Sequence, residues 1–233
     1  MIRSFRIENF RCLRDVTVPL GSLTVIIGKN DTGKSSFLDA VSYLSGIIPV
    51  GSREYPDGFF VEELAWRGAD PPRIGWTVEM EISGQAASYS LNVAPSPGHL
   101  RFRILSERLE IQGLKDLIIR DDSRVTIRGW QGEIDQASGQ VDELTAIRFG
   151  AISKVANPHK QVGDLLQSTT IYKIDPVQVA SASLIEPDGT MTIGTDGSGV
   201  ASFLDTLLNQ DRDAFVALEK EISLAIPEVK ISS

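Results

Sequence analysis

Residues 28–35 read Gly-Lys-Asn-Asp-Thr-Gly-Lys-Ser, and no other stretch of this chain limits its fold as strongly. Gly28, Gly33, Lys34 and Ser35 stand at the fixed positions of a phosphate-binding loop. Four such positions recur by chance in roughly one chain of this length in a hundred, so the flanks decide the reading. Before the loop lies an apolar run, Leu23–Ile27, with β-branched Thr24, Val25, Ile26 and Ile27, the pattern of a strand buried on both faces. After it, Phe37, Leu38, Val41 and Leu44 recur at helical spacing, which predicts an amphipathic helix over 34–46. A buried strand turning into a helix is the context the loop needs.

The chemistry explains the spacing. A turn from strand to helix aims the backbone N–H groups of residues 31–36 inward as an anion nest at the positive end of the helix. Gly28 and Gly33 allow backbone angles and a close approach that a Cβ would block. Lys34 reaches the β- and γ-phosphates as a point charge and is the catalytic candidate; the Ser35 hydroxyl is the candidate Mg²⁺ ligand. The candidate nucleotide site is therefore Gly28, Lys29, Asn30, Asp31, Thr32, Gly33, Lys34, Ser35 and Ser36, with ATP and Mg²⁺ as the implied ligands.

Composition narrows the surroundings. The 233 residues are 42% hydrophobic and 23% charged, long enough for a real core. With 31 acidic against 23 basic residues the net charge is -8, which argues against wrapping nucleic acid over the whole surface. Residues 1–36 run the other way, with Arg3, Arg6, Arg11, Arg14, Lys29 and Lys34 against Glu8, Asp15 and Asp31. A single cysteine, Cys12, rules out an internal disulfide framework, and His99 and His159 form no zinc constellation with it. Cys12, between apolar neighbours, reads as a core or strand residue. No basic-then-apolar leader and no long apolar span stands out, so the expectation is a cytoplasmic protein with no membrane partner.

Along the chain, residues 1–46 read as a small β-meander, the loop and its helix. Gly and Pro dominate 46–73, with one short helix near 61–66. Ile74, Trp76, Val78, Met80 and Ile82 alternate with Gly75, Thr77, Glu79 and Glu81, and Tyr89, Leu91 and Val93 repeat the alternation, so 74–130 is an antiparallel region. A hairpin is expected where 117–119 and 125–127 flank Asp121, Asp122 and Ser123, and a turn at Pro187, Asp188 and Gly189. Gln85 falls in a turn, and residues 131–169 are too polar to assign. In 170–233, two apolar stripes predict helices, Val200–Leu208 after Asp196–Gly199, and Phe215–Ile226 stopping at Pro227. Trp66, Trp76 and Trp130 read as packing residues.

The opening stretch resembles the N-terminus of ATPase heads of the ABC type, in the RecF, SMC and OLD-like group of AAA-family ATPases. The likeness rests on Ile2, Phe5, Ile7, Asn9, Phe10 and Arg11, on Val18 to Leu20, and on the Asn-Asp-x-Gly-Lys-Ser core. Most such heads carry Gly where this chain has Asp31. A weaker likeness covers the two helices of the tail. The resemblance implies an α/β P-loop NTPase fold of ABC-ATPase type, its N-terminal half, with a substantial antiparallel β part. It also implies that Arg11 approaches the nucleotide, with a surface strand arginine as the alternative.

Such heads further carry a Walker B strand, a signature motif and a switch histidine. Leu117–Asp122 imitates Walker B, but Arg120 interrupts its apolar run and a hairpin reading is preferred. Ile174-Asp175-Pro176 lacks the following Glu, and Gly197–Gly199 reads as a helix N-terminus. The inference is one incomplete head over 1–233, whose parallel sheet is short of neighbours, completed by a missing C-terminal half or a homodimer of heads. By resemblance, the full-length protein would serve DNA repair or anti-phage defence and meet DNA there. A non-catalytic nucleotide-sensing module and a small-molecule P-loop kinase are the alternatives.

Overall fold

Alternation at 74–82 produces a strand inside an eight-stranded antiparallel sheet in the computed structural model. It describes residues 1–50, 60–96, 102–114, 117–121, 124–128, 134–135, 145–148, 157–181 and 193–225. The strands are β1 (Ile2–Phe10), β2 (Leu13–Pro19), β3 (Ile74–Ile82), β4 (Gln85–Ala94), β5 (Arg103–Ile111), β6 (Ile118–Asp121), β7 (Arg124–Arg128) and β8 (Ile134–Asp135). Their order is β2-β1-β3-β4-β5-β6-β7-β8, so apart from the first hairpin the sheet follows the chain. Gln85 begins β4 rather than lying in the turn, which is made by Ser83 and Gly84 at positive φ.

Period-two alternation puts Phe5, Ile7, Ile74, Trp76, Val78, Tyr89 and Leu91 on one buried face. Helix α1 (Lys34–Val50) covers it with Phe37, Ala40, Val41, Leu44, Ile47 and Ile48. The Phe5 and Phe37 rings meet edge-on at 6.4 Å, and Trp76 Nε1 donates to the Ala40 carbonyl at 2.8 Å. This helix continues past the predicted 46, because Ile47 and Ile48 still face the sheet. A short α2 (Val61–Leu64) sits where a short helix was expected.

Two elements were not foreseen. β5 breaks its own alternation: a bulge opposite Asn92 and Val93 lets Ile104 and Glu107, three residues apart, both turn inward. α3 (Asn157–Gln167), inside the stretch 131–169 that the sequence left unassigned, packs beside α1 and buries His159. The imitation of Walker B is β6, paired with β7 as the expected hairpin. There Arg120 is buried 3.5 Å from Glu107, which also accepts from Ala146 N at 2.6 Å, Ile147 N at 3.0 Å and Tyr89 Oη at 3.0 Å. Thr145 in turn donates to the Ile48 carbonyl at 3.2 Å, tying this cluster to α1.

The largest correction concerns Leu23–Ile27. Expected as a strand buried on both faces, it pairs with no described strand, and Leu23, Val25 and Ile27 are 82%, 72% and 88% exposed. Every described pairing is antiparallel, so among the described residues this run has no parallel neighbour.

The chain divides into two compact units, Met1–Thr170 and Ile171–Ser233. The second holds α4 (Pro176–Val179), α5 (Val200–Gln210) and α6 (Arg212–Ala225). Asp175, short of a Walker B role, caps α4 by accepting from Val177 N at 2.9 Å, and Gly199 caps α5 at φ 82°. The apolar stripe of α5 buries no residue completely. His99, Trp130, Asp122, Ser123, the Pro187–Gly189 turn and Pro227 lie outside the described residues. No described helix is long and apolar enough to cross a membrane.

Candidate nucleotide-binding site

The loop is shaped by what lies beneath it. Gly33 has φ +92°, and a Cβ there would stand 2.9 Å from Leu13 Cδ2 and 3.2 Å from Cys12 Sγ, so any other residue would be strained in its backbone and would displace those side chains. Leu13 and Cys12 reach this point because the β1–β2 turn is tight, with Asn9 at φ 56° and Arg11 at φ 49°. The Gly33 carbonyl accepts the first helical bond, from Phe37 N at 2.8 Å, and α1 departs with no acidic residue in its first turn. An anion at this helix end meets a favourable dipole and no opposing first-turn carboxylate.

The loop closes on itself around Lys34. Its Nζ donates to the Gly28 carbonyl at 2.8 Å and the Lys29 carbonyl at 2.5 Å, while Thr32 Oγ1 donates to the Lys29 carbonyl at 2.9 Å. These bonds leave Gly28, Lys29 and Thr32 as the loop's frame. The open side is a cavity of about 620 Å³ lined by Cys12, Asn30, Asp31, Gly33, Lys34, Ser35 and Ser36, a volume suited to a small ligand. Lys34 and the Ser35 hydroxyl thus share one concave surface with the start of α1. The donor set fits a Mg²⁺-complexed polyphosphate.

Two predicted placements differ. Cys12 is exposed, lining the cavity with its thiol 3.5 Å from Ser36 Oγ, because Leu13 beside it takes the buried position. Sequence reasoning missed it, since its nearness to Gly33 arises from the turn geometry alone. Arg11 does not line the cavity; it forms an ion pair with Asp39 on α1 and lies over the Phe10 ring.

The basic N-terminal segment is largely neutralised. Arg3 pairs with Glu81 at 2.6 Å and Arg6 with Asp15 at 2.8 Å, each arginine holding its partner carboxyl below the usual range. Arg14 lies over the Trp66 ring at 5.3 Å. The net positive count of residues 1–36 is therefore spread over internal pairs and the loop, rather than gathered into a free basic stripe.

Comparison with known proteins agrees with the loop's location. A family model described as an AAA ATPase domain matches residues 1–47. An OLD nuclease of Thermus scotoductus is 44% identical over 48 residues, which is 21% of this chain and 9% of that protein. A DNA double-strand break repair Rad50 ATPase of Sulfolobus acidocaldarius is 34% identical over 94 residues, 40% of this chain and 10% of that protein. A solved structure of SMC ATPases, studied for ATP-driven dimerization and DNA-stimulated activation, shares 17% identity at a TM-score of 0.34, covering 48% of this chain and 69% of that one. The chain spans about a tenth of the length of the curated relatives it matches. The match to the AAA ATPase domain covers residues 1–47, which hold the β1–β2 hairpin, the loop and most of α1, and the chain is similar over short stretches to an OLD nuclease and a Rad50 ATPase.

Proposed function

We propose that this chain binds Mg²⁺-ATP in the loop of residues 28–36, as the first part of an ATPase head belonging to a protein that processes DNA. The observation that carries the reading is the cavity at the start of α1, where Lys34, Ser35 and the Gly33 turn converge with no acidic side chain in the helix's first turn. Lys34 would hold the β- and γ-phosphates as a point charge, Ser35 would hold the metal through its hydroxyl, and the backbone of 31–36 would donate to the phosphate oxygens. The metal supplies charge neutralisation at the phosphates when bound.

Binding and turnover separate in this reading. Stabilising charge at the γ-phosphate takes several preorganised groups at once, and among the described residues the cavity is lined by the loop, the start of α1 and Cys12. The chain by itself binds ATP and hydrolyses it negligibly, with full turnover reserved for a head completed by further chain or by a second copy. The exposed apolar run Leu23–Ile27 supports that reading, because a strand of this composition is stable only when covered. The DNA role rests on the relatives' names, and the neutralised N-terminal arginines make DNA binding by this chain weak.

Calorimetric titration of ATP with Mg²⁺ into the wild-type chain and Lys34→Ala tests the assignment. Binding lost in the variant, with its melting temperature unchanged, supports it; equal affinities would remove it. A kcat of about 1 per second or more, within the ordinary enzyme range, would show that a catalytic group had been overlooked.

A further inference from the structure

Asp31 is the unexplained member of the loop. Its φ of +63° is the left-handed conformation, in which Gly is free and Asn and Asp are the tolerated side chains. The turn itself therefore explains why the position is not β-branched or bulky, but it does not explain a carboxylate. Gly or Asn would serve the backbone as well and bring no charge. Yet the carboxylate lines the same cavity as Lys34 and Ser35, and among the described residues it has no ion-pair partner. Among the described residues, a carboxylate without an ion-pair partner thus lines a cradle whose other features attract anions.

We propose that Asp31 is a specificity-determining residue that makes the loop discriminate by ligand charge, admitting the Mg²⁺ complex of a nucleoside triphosphate and rejecting the metal-free triphosphate. The proposal rests on the nucleotide-binding reading above. Its basis is Coulombic: repulsion from a fixed charge scales with the charge of the ligand, and metal-free ATP carries about twice the negative charge of its Mg²⁺ complex. The backbone N–H of Asp31 would still be free to donate to a bound phosphate; the side chain alone would oppose it. The Lys34 ammonium donates to the Gly28 and Lys29 carbonyls at the loop's frame and makes no ion pair with Asp31.

The test compares the full chain with Asp31→Asn and Asp31→Gly by calorimetry, using ATP with Mg²⁺, ADP with Mg²⁺, and ATP with EDTA. Asn keeps the size and the left-handed tolerance and removes only the charge. The expected gains in affinity for Asp31→Asn are on the order of tenfold for Mg²⁺-ATP, on the order of a hundredfold for metal-free ATP, and least for Mg²⁺-ADP. Asp31→Gly should follow the same order. Equal gains for all three ligands, a gain in the Gly variant alone, or weaker Mg²⁺-ATP binding in Asp31→Asn would each overturn the proposal while leaving the nucleotide site standing. No binding of any ligand by any of the three proteins would overturn the nucleotide reading, and the proposal with it.

Discussion

β3 and the run Leu23–Ile27 are made of similar residues and end in opposite environments. In β3, Ile74, Trp76 and Val78 are essentially inaccessible, held between β1 and β4 on its two sides and α1 above. In the run before the loop, Leu23, Val25 and Ile27 lie open to solvent. The difference is one of neighbours. β3 meets β4 through the two-residue turn at Ser83 and Gly84 and meets β1 across a long connection, both antiparallel, so its alternating pattern is flanked on either side. A continuous β-branched run needs cover on both faces, and parallel neighbours arrive only through long crossovers. Apolar patterning thus reports what a segment requires, and topology decides whether the requirement is met.

Breaking the satisfied side should cost most. Trp76→Ala removes the largest inaccessible ring and its bond to the Ala40 carbonyl, an expected loss of about 3–5 kcal/mol by urea denaturation. A loss under about 1 kcal/mol would mean that α1 does not seat on the sheet. Glu107→Ala should follow at about 3 kcal/mol, since it removes the buried carboxylate 3.5 Å from Arg120 and uncaps Ala146 and Ile147. Burial holds the Glu107 carboxyl above the usual range despite Arg120. Its contribution is therefore fully present below the unfolded value and declines as pH rises through the folded one.

His159 has the opposite sign. Burial depresses its pKa below 6.5, so the unfolded chain takes up the proton first. Stability from this group is present above that value and falls as pH drops below it, with a slope of at most about 1.4 kcal/mol per pH unit. Denaturation midpoints between pH 7.5 and 5.5 should fall in the wild type and flatten in His159→Leu; parallel curves would show that the imidazole is not buried neutral. Smallest of all, Val25→Thr and Ile27→Thr should change stability by less than about 0.5 kcal/mol. A loss of about 2 kcal/mol in either would show the run covered in solution, and the contrast with β3 would collapse.

Legibility follows the same physics. β1, β3, β4, α1 and the β6–β7 hairpin were readable because their periods are unbroken. β5 hid because its bulge changes the phase between Ile104 and Glu107. α3 hid because its buried face is made of Pro158, His159, Val162, Gly163 and Leu166, of which only Val162 and Leu166 are apolar helix formers that a periodicity reading would register. The loop's chemistry was legible in glycine spacing, which is a backbone requirement written directly in residue type. Cys12 was not, because a contact between a turn and a loop twenty residues away leaves no periodic mark. Arg11 shows the converse: the motif position was visible, but the competing carboxylate of Asp39 was not.

The nucleotide cavity offers its own probe, because Cys12 is the chain's single cysteine and lines it. The direct measurement is the rate of Cys12 alkylation by a small maleimide, followed by intact mass, with and without saturating Mg²⁺-ATP, in wild type and Lys34→Ala. The account predicts a slowing of at least about tenfold in the wild type, on the premise that occupancy above about 90% blocks the thiol, and no slowing in the variant. Equal rates with and without nucleotide in the wild type, or the same protection in Lys34→Ala, would contradict a phosphate site built on this loop.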